Sequence, residues 1–344
     1  MSLSLPYLTQ AQAPLTSEID AVNESGELQK VSIPAERALT VYVDKRELVT
    51  LMTLGANPEL LVLGYLRNQR LVRDVADIES ITVDWDVGAA AVKTVRGIKD
   101  IEEKTAHRVV TTGCGQGSVF GGLMDEVDQI ALPAGSSITQ GQLYALVNTI
   151  RLKETTYKSA GSVHACALFS TASGESEMLL FVEDVGRHNA IDTIAGWMWM
   201  NMAPTLPTSC GSLLPEGAAA PADRQSRICG PDWQGTSAAT LIEPALAASD
   251  ALASPDSSAS GLVFYTTGRL TSEMVIKSAQ MGVPVVVSRS GITQMGHQVA
   301  QSVGLCAIGR ATNKRFLCYT HAGRLRLEPG LVTVAAPSSE KEAG

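Results

Sequence analysis

The sequence predicts an α/β protein, with a layered sheet in its second half and a smaller α+β part before it. From residue 261 onward, apolar runs of strand length alternate with amphipathic helical segments, the pattern of parallel strands joined by helical crossovers. Before residue 110, strand-like alternation and turn signals surround one helical segment. Ligands of layered α/β sheets bind outside the carboxyl ends of the strands, so functional residues are expected there.

The N-terminal part divides into an arm and a domain. Residues 1–33 are polar and weakly patterned, which predicts a mobile arm, and residues 34–110 are expected to form the α+β domain. Alternation over 39–43 predicts a strand. The order Asn57-Pro58-Glu59 is typical of a helix start: a cap, a proline at the first position and an acid in the first turn. A hairpin is expected within 81–95.

Residues 111–325 are predicted to form the larger domain, followed by a tail over 326–344. Within it, residues 203–260 are rich in Ala, Ser, Pro and Gly, which predicts a flexible insertion. Strands are expected at 162–170, 178–184, 262–267, 284–288, 305–309 and 315–320. Helices are expected at 142–153, from about 189, at 271–282 and at 293–303.

Composition excludes several classes of function. A formal net charge of -8 argues against a general nucleic-acid or anionic-membrane surface, so any anionic ligand needs a local basic cluster. The first residues lack a basic stretch followed by an apolar one, and no apolar run approaches the roughly 18 residues of a spanning helix. We therefore expect a cytoplasmic protein.

Cysteine usage argues against both a disulfide framework and a thiolate zinc site, and no metal is expected. The six cysteines are scattered, without the C-x-x-C spacing of zinc or redox motifs. They are Cys114, Cys166, Cys210, Cys229, Cys306 and Cys318. In a reducing compartment these thiols stay available for chemistry.

The stretch TTGCGQGS places Cys114 between two glycines. Glycines let backbone N–H groups approach an anion, and nearby N–H groups favour the thiolate, the nucleophilic form of cysteine. Cys114 is therefore a candidate nucleophile. The alternative is a loop cysteine without a chemical role.

The stretch VEDVGRHNA joins an apolar strand to a helix start. Arg187 and His188 then lie near a helix N-terminus, a place suited to an anion. The alternative is a structural turn in which Asp184 and His188 satisfy the backbone. A metal is not indicated, because His164 is distant in sequence and lacks the H-x-E and P-C-x-x-C spacing of zinc deaminases.

The stretch GRATNKRF follows the predicted strand 305–309 and concentrates positive charge at its carboxyl end. Arg310, Lys314 and Arg315 supply the charge, which makes this segment a candidate seat for a phosphate or pyrophosphate. The alternative is a solvated hairpin turn. The stretch TTGRLTSEM resembles a nucleotide-binding turn only loosely, lacks G-x-G-x-x-G, and is expected to serve packing.

Taken in order, these motifs resemble those of the formate dehydrogenase accessory sulfurtransferases, the FdhD sulfur-carrier family. The resemblance covers about residues 36 to 325, apart from 203–260. It is carried by ERALTVYVD, NPELLVLGYL, TTGCG, EDVGRHNAIDTIAG, GRLTSEMVIKSAQMGVPVVVSRSG and LCAIGRATNKRFLCYT.

The resemblance implies a function. Such proteins accept sulfur from a cysteine desulfurase as a persulfide and pass it to the molybdenum cofactor, bis(molybdopterin guanine dinucleotide), before the cofactor enters the formate dehydrogenase catalytic subunit. The persulfide cysteine falls on Cys114. The cofactor-binding segment falls on Arg310, Ala311, Thr312, Asn313, Lys314 and Arg315. The family also implies a homodimer, and a larger domain similar in fold to cytidine deaminases without their zinc.

Two parts of the sequence depart from the family pattern. The usual Cys-x-x-Cys loop has Gly117 in place of its second cysteine, and the usual Glu-Gly pair after the early helix is Asn68-Gln69. One thiolate suffices in principle for persulfide transfer. The single thiol nevertheless leaves a second hypothesis open, a molybdenum-cofactor-binding chaperone without sulfur transfer. A nucleotide hydrolase or deaminase is a third, although no zinc-ligand set supports it.

Overall fold

The computed structural model describes residues 5–98, 109–110, 117–118, 127, 130–153, 155–202 and 261–331. The predicted insertion at 203–260 and the predicted nucleophile Cys114 lie outside the described residues, as does all but the first part of the predicted tail.

The N-terminal part is built on a five-stranded sheet and one long helix. Its elements are β1 (Tyr7–Leu8), β2 (Thr16–Val22), β3 (Leu28–Pro34), β4 (Arg37–Val43), β5 (Arg46–Thr53), α1 (Pro58–Asn68), β6 (Ile78–Asp84) and β7 (Ala89–Thr94). The sheet order is β1-β6-β7-β4-β5, and β2 and β3 form a separate hairpin. The predicted helix start at Pro58 and the predicted hairpin, now β6–β7, are confirmed, although the Asn57 side chain makes no capping hydrogen bond.

The predicted strand at 39–43 is also confirmed, because alternate residues of β4 are buried. Leu39, Val41 and Val43 lie in a core that α1 completes from one face of the sheet. The first turn of α1 also holds the segment that follows β1. Glu59 accepts hydrogen bonds from Thr9 Oγ1 at 2.8 Å and from Ala11 N at 2.9 Å.

The structure differs from the prediction before residue 34. The sequence pattern predicts an arm there, whereas the described residues contain β1, which joins the five-stranded sheet, and the hairpin β2–β3. The sequence does not predict this hairpin, because most of β2 is exposed on both faces and its residues do not alternate regularly between apolar and polar.

The second part is built on a six-stranded sheet. Its elements are β8 (Val109–Val110), β9 (Gly117–Ser118), β10 (Ile138–Thr139), α2 (Gln140–Lys153), α3 (Thr155–Ala160), β11 (His164–Ser170), β12 (Glu177–Asp184), α4 (Arg187–Asn201), β13 (Leu262–Thr266), α5 (Ser272–Gln280), β14 (Val285–Ser288), α6 (Gln294–Ser302), β15 (Cys306–Thr312), β16 (Arg315–Cys318) and β17 (Leu325–Arg326). The order of the main sheet is β12-β11-β13-β14-β15-β16.

This sheet is the middle of three layers. One face packs against α2, through Leu143, Leu146 and Ile150. The other face packs against α4, α5 and α6. The predicted α/β layering with helical crossovers between β13, β14 and β15 is therefore confirmed.

The two parts meet where α1 crosses α4 at a pair of glycines. A Cβ at Gly64 would lie 1.6 Å from Asp192 O, and one at Gly196 would lie 2.0 Å from Leu60 O. Only glycine allows the two backbones to approach this closely. The crossing lies in the middle of α4, whose first turn carries the predicted Arg187 and His188.

Candidate functional site

Four strands of the larger sheet end at one edge. β12, β13, β14 and β15 run in the same direction, because β11 is antiparallel to both β12 and β13, and β14 is parallel to both β13 and β15. The first residue of β11, His164, therefore lies at this same edge and pairs with Asp184, the last residue of β12. This is the edge where ligands of layered α/β sheets bind.

An arginine lies at or just beyond the end of each of the three parallel strands. Arg269 follows β13, Arg289 follows β14, and Arg310 lies near the end of β15. The backbone links these positions: Arg289 N donates to Thr266 O at 3.0 Å, and Arg310 N donates to Ser290 O at 2.6 Å. The side chains of Arg269 and Arg310 are exposed, and that of Arg289 is half-buried.

Arg187 reaches this edge from the start of α4. Its side chain is buried, and a Cβ at Gly268 would lie 2.7 Å from Arg187 Cδ. The glycine after β13 therefore leaves the space that the arginine stem fills. The structure thus places the predicted anion-binding Arg187 beside the loop of Arg269. We call His164, Arg187, Arg269, Arg289 and Arg310 together the basic edge.

The electrostatic field of the basic edge acts on His164. Burial lowers the pKa of this histidine, and the positive charges of Arg187, His188, Arg289 and Arg269 lower it further. Positive charge is therefore concentrated at the strand ends of an otherwise acidic protein, a field that favours an anion.

Asp184 locks the turn that carries Arg187. Its carboxylate accepts hydrogen bonds from Gly186 N at 3.0 Å, Asn189 Nδ2 at 2.8 Å and Thr53 Oγ1 at 2.5 Å. Burial raises the pKa of Asp184, an effect that these hydrogen bonds oppose. Because Thr53 belongs to β5, the N-terminal sheet also holds the turn in place.

His188 faces the interior. Its Nδ1 lies 2.9 Å from Glu273 Oε1, and Lys277 Nζ lies 3.4 Å from the same oxygen and 2.9 Å from Asp192 Oδ2. All four side chains are buried. We call these residues, His188, Asp192, Glu273 and Lys277, the buried charge network. His188 therefore lies in the interior, paired with a buried carboxylate, and not at the open strand edge.

Glu273 and Lys277 stabilise each other's charge, whereas burial raises the pKa of Asp192 against the opposing effect of Lys277. Burial by itself raises the pKa of Glu273, but Lys277 and His188 outweigh it and lower the value to about 2. Burial lowers the pKa of Lys277, but Asp192 and Glu273 raise it above its ordinary value. The lysine is thus held as a cation between two carboxylates.

The structure explains why Asn68 can stand where the family usually has glutamate. Asn68 Nδ2 donates to Asp192 Oδ1 at 2.7 Å, and both residues are fully buried. A glutamate at this position would place a further carboxylate beside Asp192 instead of a donor. The amide therefore suits the buried charge network of this chain.

The predicted cofactor segment forms a hairpin. The sequence places it in a loop after a strand ending at 309, whereas β15 continues to Thr312 and pairs with β16. Arg310 and Asn313 have positive φ, at 51° and 52°, which produces a bulge and a tight turn. Ala311 is buried, and the other five residues of the segment are exposed. Arg310 belongs to the basic edge, and Thr312–Arg315 form the hairpin end.

Cys114 falls among residues 111–116, outside the described residues, and its predicted role stays a prediction. The short strands on either side are described: β8 and β9 pair antiparallel, with Val110 opposite Gly117.

Sequence reasoning missed Arg269, Arg289 and His164 as members of one site. Arg269 belongs to TTGRLTSEM, which we predict to serve packing, and Arg289 lies in a stretch with no assigned role. The signal that could have found them is the arginine after each predicted parallel strand, since those strand ends share one edge. The place of His164 depends on the reversed direction of β11.

The arrangement can hold an anion with several negative charges. Arginines form strong, geometrically specific pairs with phosphate oxygens. Within the described ranges, no three His, Cys, Asp or Glu side chains group closely enough to hold a metal ion. In the same ranges, no helix has the length and apolarity needed to cross a membrane.

The chain is similar to proteins called sulfur carrier protein FdhD. The relative from Bacillus subtilis is 27% identical over 305 residues, which are 88% of this chain and 94% of the relative. The relative from Wolinella succinogenes is 23% identical, covering 88% and 84% of the two chains. The relative from Sulfurisphaera tokodaii is 24% identical, covering 83% and 87% of the two chains.

A solved structure shares the fold. It is described as a putative formate dehydrogenase accessory protein from Desulfotalea psychrophila, and it superposes with a TM-score of 0.59 at 18% identity. The match covers 91% of this chain and 100% of the other. A family model, the FdhD/NarQ family, matches residues 34–209 and 251–326, well over half of the sequence. The chain therefore belongs to the FdhD/NarQ family.

Proposed function

We propose that the protein is a sulfur carrier, a sulfurtransferase that serves formate dehydrogenase. It accepts sulfur from a cysteine desulfurase as a persulfide on Cys114. It then passes this sulfur to the molybdenum cofactor, bis(molybdopterin guanine dinucleotide), before the cofactor enters the catalytic subunit of formate dehydrogenase. Family membership and the names of the curated relatives support the sulfur-carrier class.

The basic edge is the observation that carries the proposal for the substrate. A guanine dinucleotide contains a pyrophosphate, and this ligand needs concentrated positive charge in a chain of net charge -8. The arginines at the ends of β13, β14 and β15 supply it, with Arg187 beside them. The exposed residues of the hairpin Arg310–Arg315 extend this surface and offer further donors to the cofactor.

Cys114 has the role of the nucleophile in this proposal. A persulfide carrier needs one thiolate to attack the donor persulfide and one acceptor for the terminal sulfur. The glycines on either side of Cys114 suit a thiol that visits two partners in turn.

The proposal includes a fold relationship and an assembly. We infer a cytidine-deaminase-like layering of the larger domain, supported by a mixed sheet covered by helices on both faces. We also infer a homodimer, which rests on the family resemblance alone.

The first experiment is peptide mass spectrometry of the full chain after incubation with a cysteine desulfurase and cysteine. We expect one added sulfur atom on the peptide that contains Cys114, and none at this position in Cys114→Ala. A second assay measures formate dehydrogenase activity in cells that lack the carrier. Cys114→Ala is expected to abolish activity while leaving cofactor binding intact.

The chaperone hypothesis predicts a different pattern. A chaperone without sulfur transfer supports maturation when Cys114→Ala is supplied and fails when Arg315→Ala is supplied. Active enzyme with Cys114→Ala would therefore contradict the carrier proposal and favour the chaperone.

A further inference from the structure

Two cysteines away from the basic edge lie in contact. Cys306 begins β15 and Cys318 ends β16, and their Sγ atoms are 3.8 Å apart. Cys306 is fully buried, whereas Cys318 is half-buried. The remaining cysteine among the described residues, Cys166, is buried on the opposite face of the sheet and contacts Thr266 Oγ1 at 3.3 Å.

The hairpin backbone holds the two thiols together. Ile308 pairs with Cys318 across β15 and β16, so Cys306 is the diagonal neighbour of Cys318 on the same face. Both side chains belong to the face that packs against α2. Cys318 Sγ also lies 3.4 Å from Thr320 O.

The two thiols differ in access and in acidity. The hydrogen-bonded contact with Cys306 lowers the pKa of Cys318, although partial burial opposes this. The same hydrogen bond, together with burial, raises the pKa of Cys306. The more accessible and more acidic thiol is therefore the attacking one, and the buried thiol is suited to the second step.

We propose that Cys318 and Cys306 form a thiol–disulfide exchange site for small S–S compounds, either disulfides or persulfides. The Cys318 thiolate attacks one sulfur of the substrate, its S–S bond breaks, and one half leaves as a thiolate. Cys306 then loses its proton to solvent and attacks Cys318 Sγ. The second half leaves as a thiolate, or as hydrosulfide from a persulfide, and takes up a proton. Two protein thiols are oxidised to a disulfide, and one substrate S–S bond is reduced.

The product would join the strands that carry the proposed cofactor segment. The chain between Cys306 and Cys318 contains Arg310–Arg315, so the disulfide closes this hairpin at its base. The two Sγ atoms must approach from 3.8 Å to about 2.0 Å. The inference is independent of the proposed function, because it needs neither Cys114 nor the molybdenum cofactor.

The test uses the reduced full-length protein, incubated with oxidised glutathione or, in a second arm, with glutathione persulfide. Remaining thiols are blocked with N-ethylmaleimide before tryptic digestion and mass spectrometry. We expect peptide 290–310 linked to peptide 316–324 in the wild type. Cys306→Ala is expected to accumulate a glutathione adduct, or an added sulfur, on Cys318. Cys318→Ala is expected to leave Cys306 without a glutathione adduct or an added sulfur.

Cys166→Ala is the matched control and should give the same linked peptides as the wild type. If the peptides link faster with oxidised glutathione, the preferred substrate is a disulfide. If they link faster with glutathione persulfide, it is a persulfide. The proposal is overturned if neither arm links the peptides, or if linkage appears only in urea. It is also overturned if Cys306 in Cys318→Ala reacts as fast as Cys318 in Cys306→Ala.

Discussion

Arg187 and His188 are adjacent in sequence, yet they belong to two charge clusters of opposite character. His188 enters the buried charge network, where Glu273, Lys277 and Asp192 balance one another. Arg187 joins the basic edge, where cations gather around His164 at the strand ends. Both clusters contain buried ionisable groups, so burial alone does not mark the binding site. What distinguishes the basic edge is its excess of one sign of charge.

The largest effect is expected from Lys277→Met in the buried charge network. This change leaves the carboxylates of Asp192 and Glu273 buried without the ammonium that lies between them. We expect the free energy of unfolding to fall by about 3–5 kcal/mol, measured by urea denaturation.

Arg269→Met is the matched control, because it also removes a cation but from an exposed side chain. Its unfolding free energy should stay within about 0.5 kcal/mol of the wild type. Equal losses of unfolding free energy in the two variants would contradict the difference between the buried charge network and the basic edge.

A smaller effect, on binding and not on stability, is expected from Arg289→Gln. A charge-assisted hydrogen bond is worth about 1.5–3 kcal/mol, so affinity for inorganic pyrophosphate should fall roughly 10- to 100-fold. Isothermal titration calorimetry on the full chain measures this. The affinity of the wild type should also weaken as salt is added. Unchanged pyrophosphate affinity would remove Arg289 from the proposed anion site.

Gly268→Ala tests the position of Arg187. The added Cβ would meet Arg187 Cδ at 2.7 Å, so the side chain must shift away from its place at the edge. We expect pyrophosphate affinity to fall about fivefold, the equivalent of one hydrogen bond of about 1 kcal/mol. Gly291→Ala is the control in the neighbouring loop, since a Cβ there meets nothing within 4 Å. A similar loss in both variants would show that the loops as a whole were disturbed, contrary to this expectation.

The smallest effect concerns pH. The pKa of His164 is lowered from its ordinary value of 6.5, so the folded state binds this proton less readily than the unfolded state. Its contribution to stability is present above pH 6.5 and is lost as the pH falls through the lowered value. We therefore expect the wild type to lose more stability than His164→Gln between pH 7 and pH 5.

Urea denaturation at each pH measures this difference in stability. The same measurement is repeated in the presence of pyrophosphate. A bound anion stabilises the charged imidazole, so the difference between wild type and variant should shrink when pyrophosphate is present. Parallel pH profiles of the two proteins would contradict the influence of the basic edge on His164.

The sequence by itself determined the layering, the strand and helix order of the larger part, and the start of α1. These features depend on local periodicity, caps and turns, which neighbouring residues encode. It also singled out Arg187 and the segment Arg310–Arg315, because short runs of charge beside predicted strand ends are visible without a fold.

Only the tertiary structure decided which charges meet. Glu273 and Lys277 reach His188 and Asp192 through the packing of α5 against α4, and Arg269 and Arg289 join Arg187 because parallel strands end together. The contact between Cys306 and Cys318 likewise depends on the register of β15 and β16. Each of these pairings joins residues distant in sequence or depends on strand register. Sequence pattern reports the local backbone, whereas these distances follow from how the sheet and helices pack.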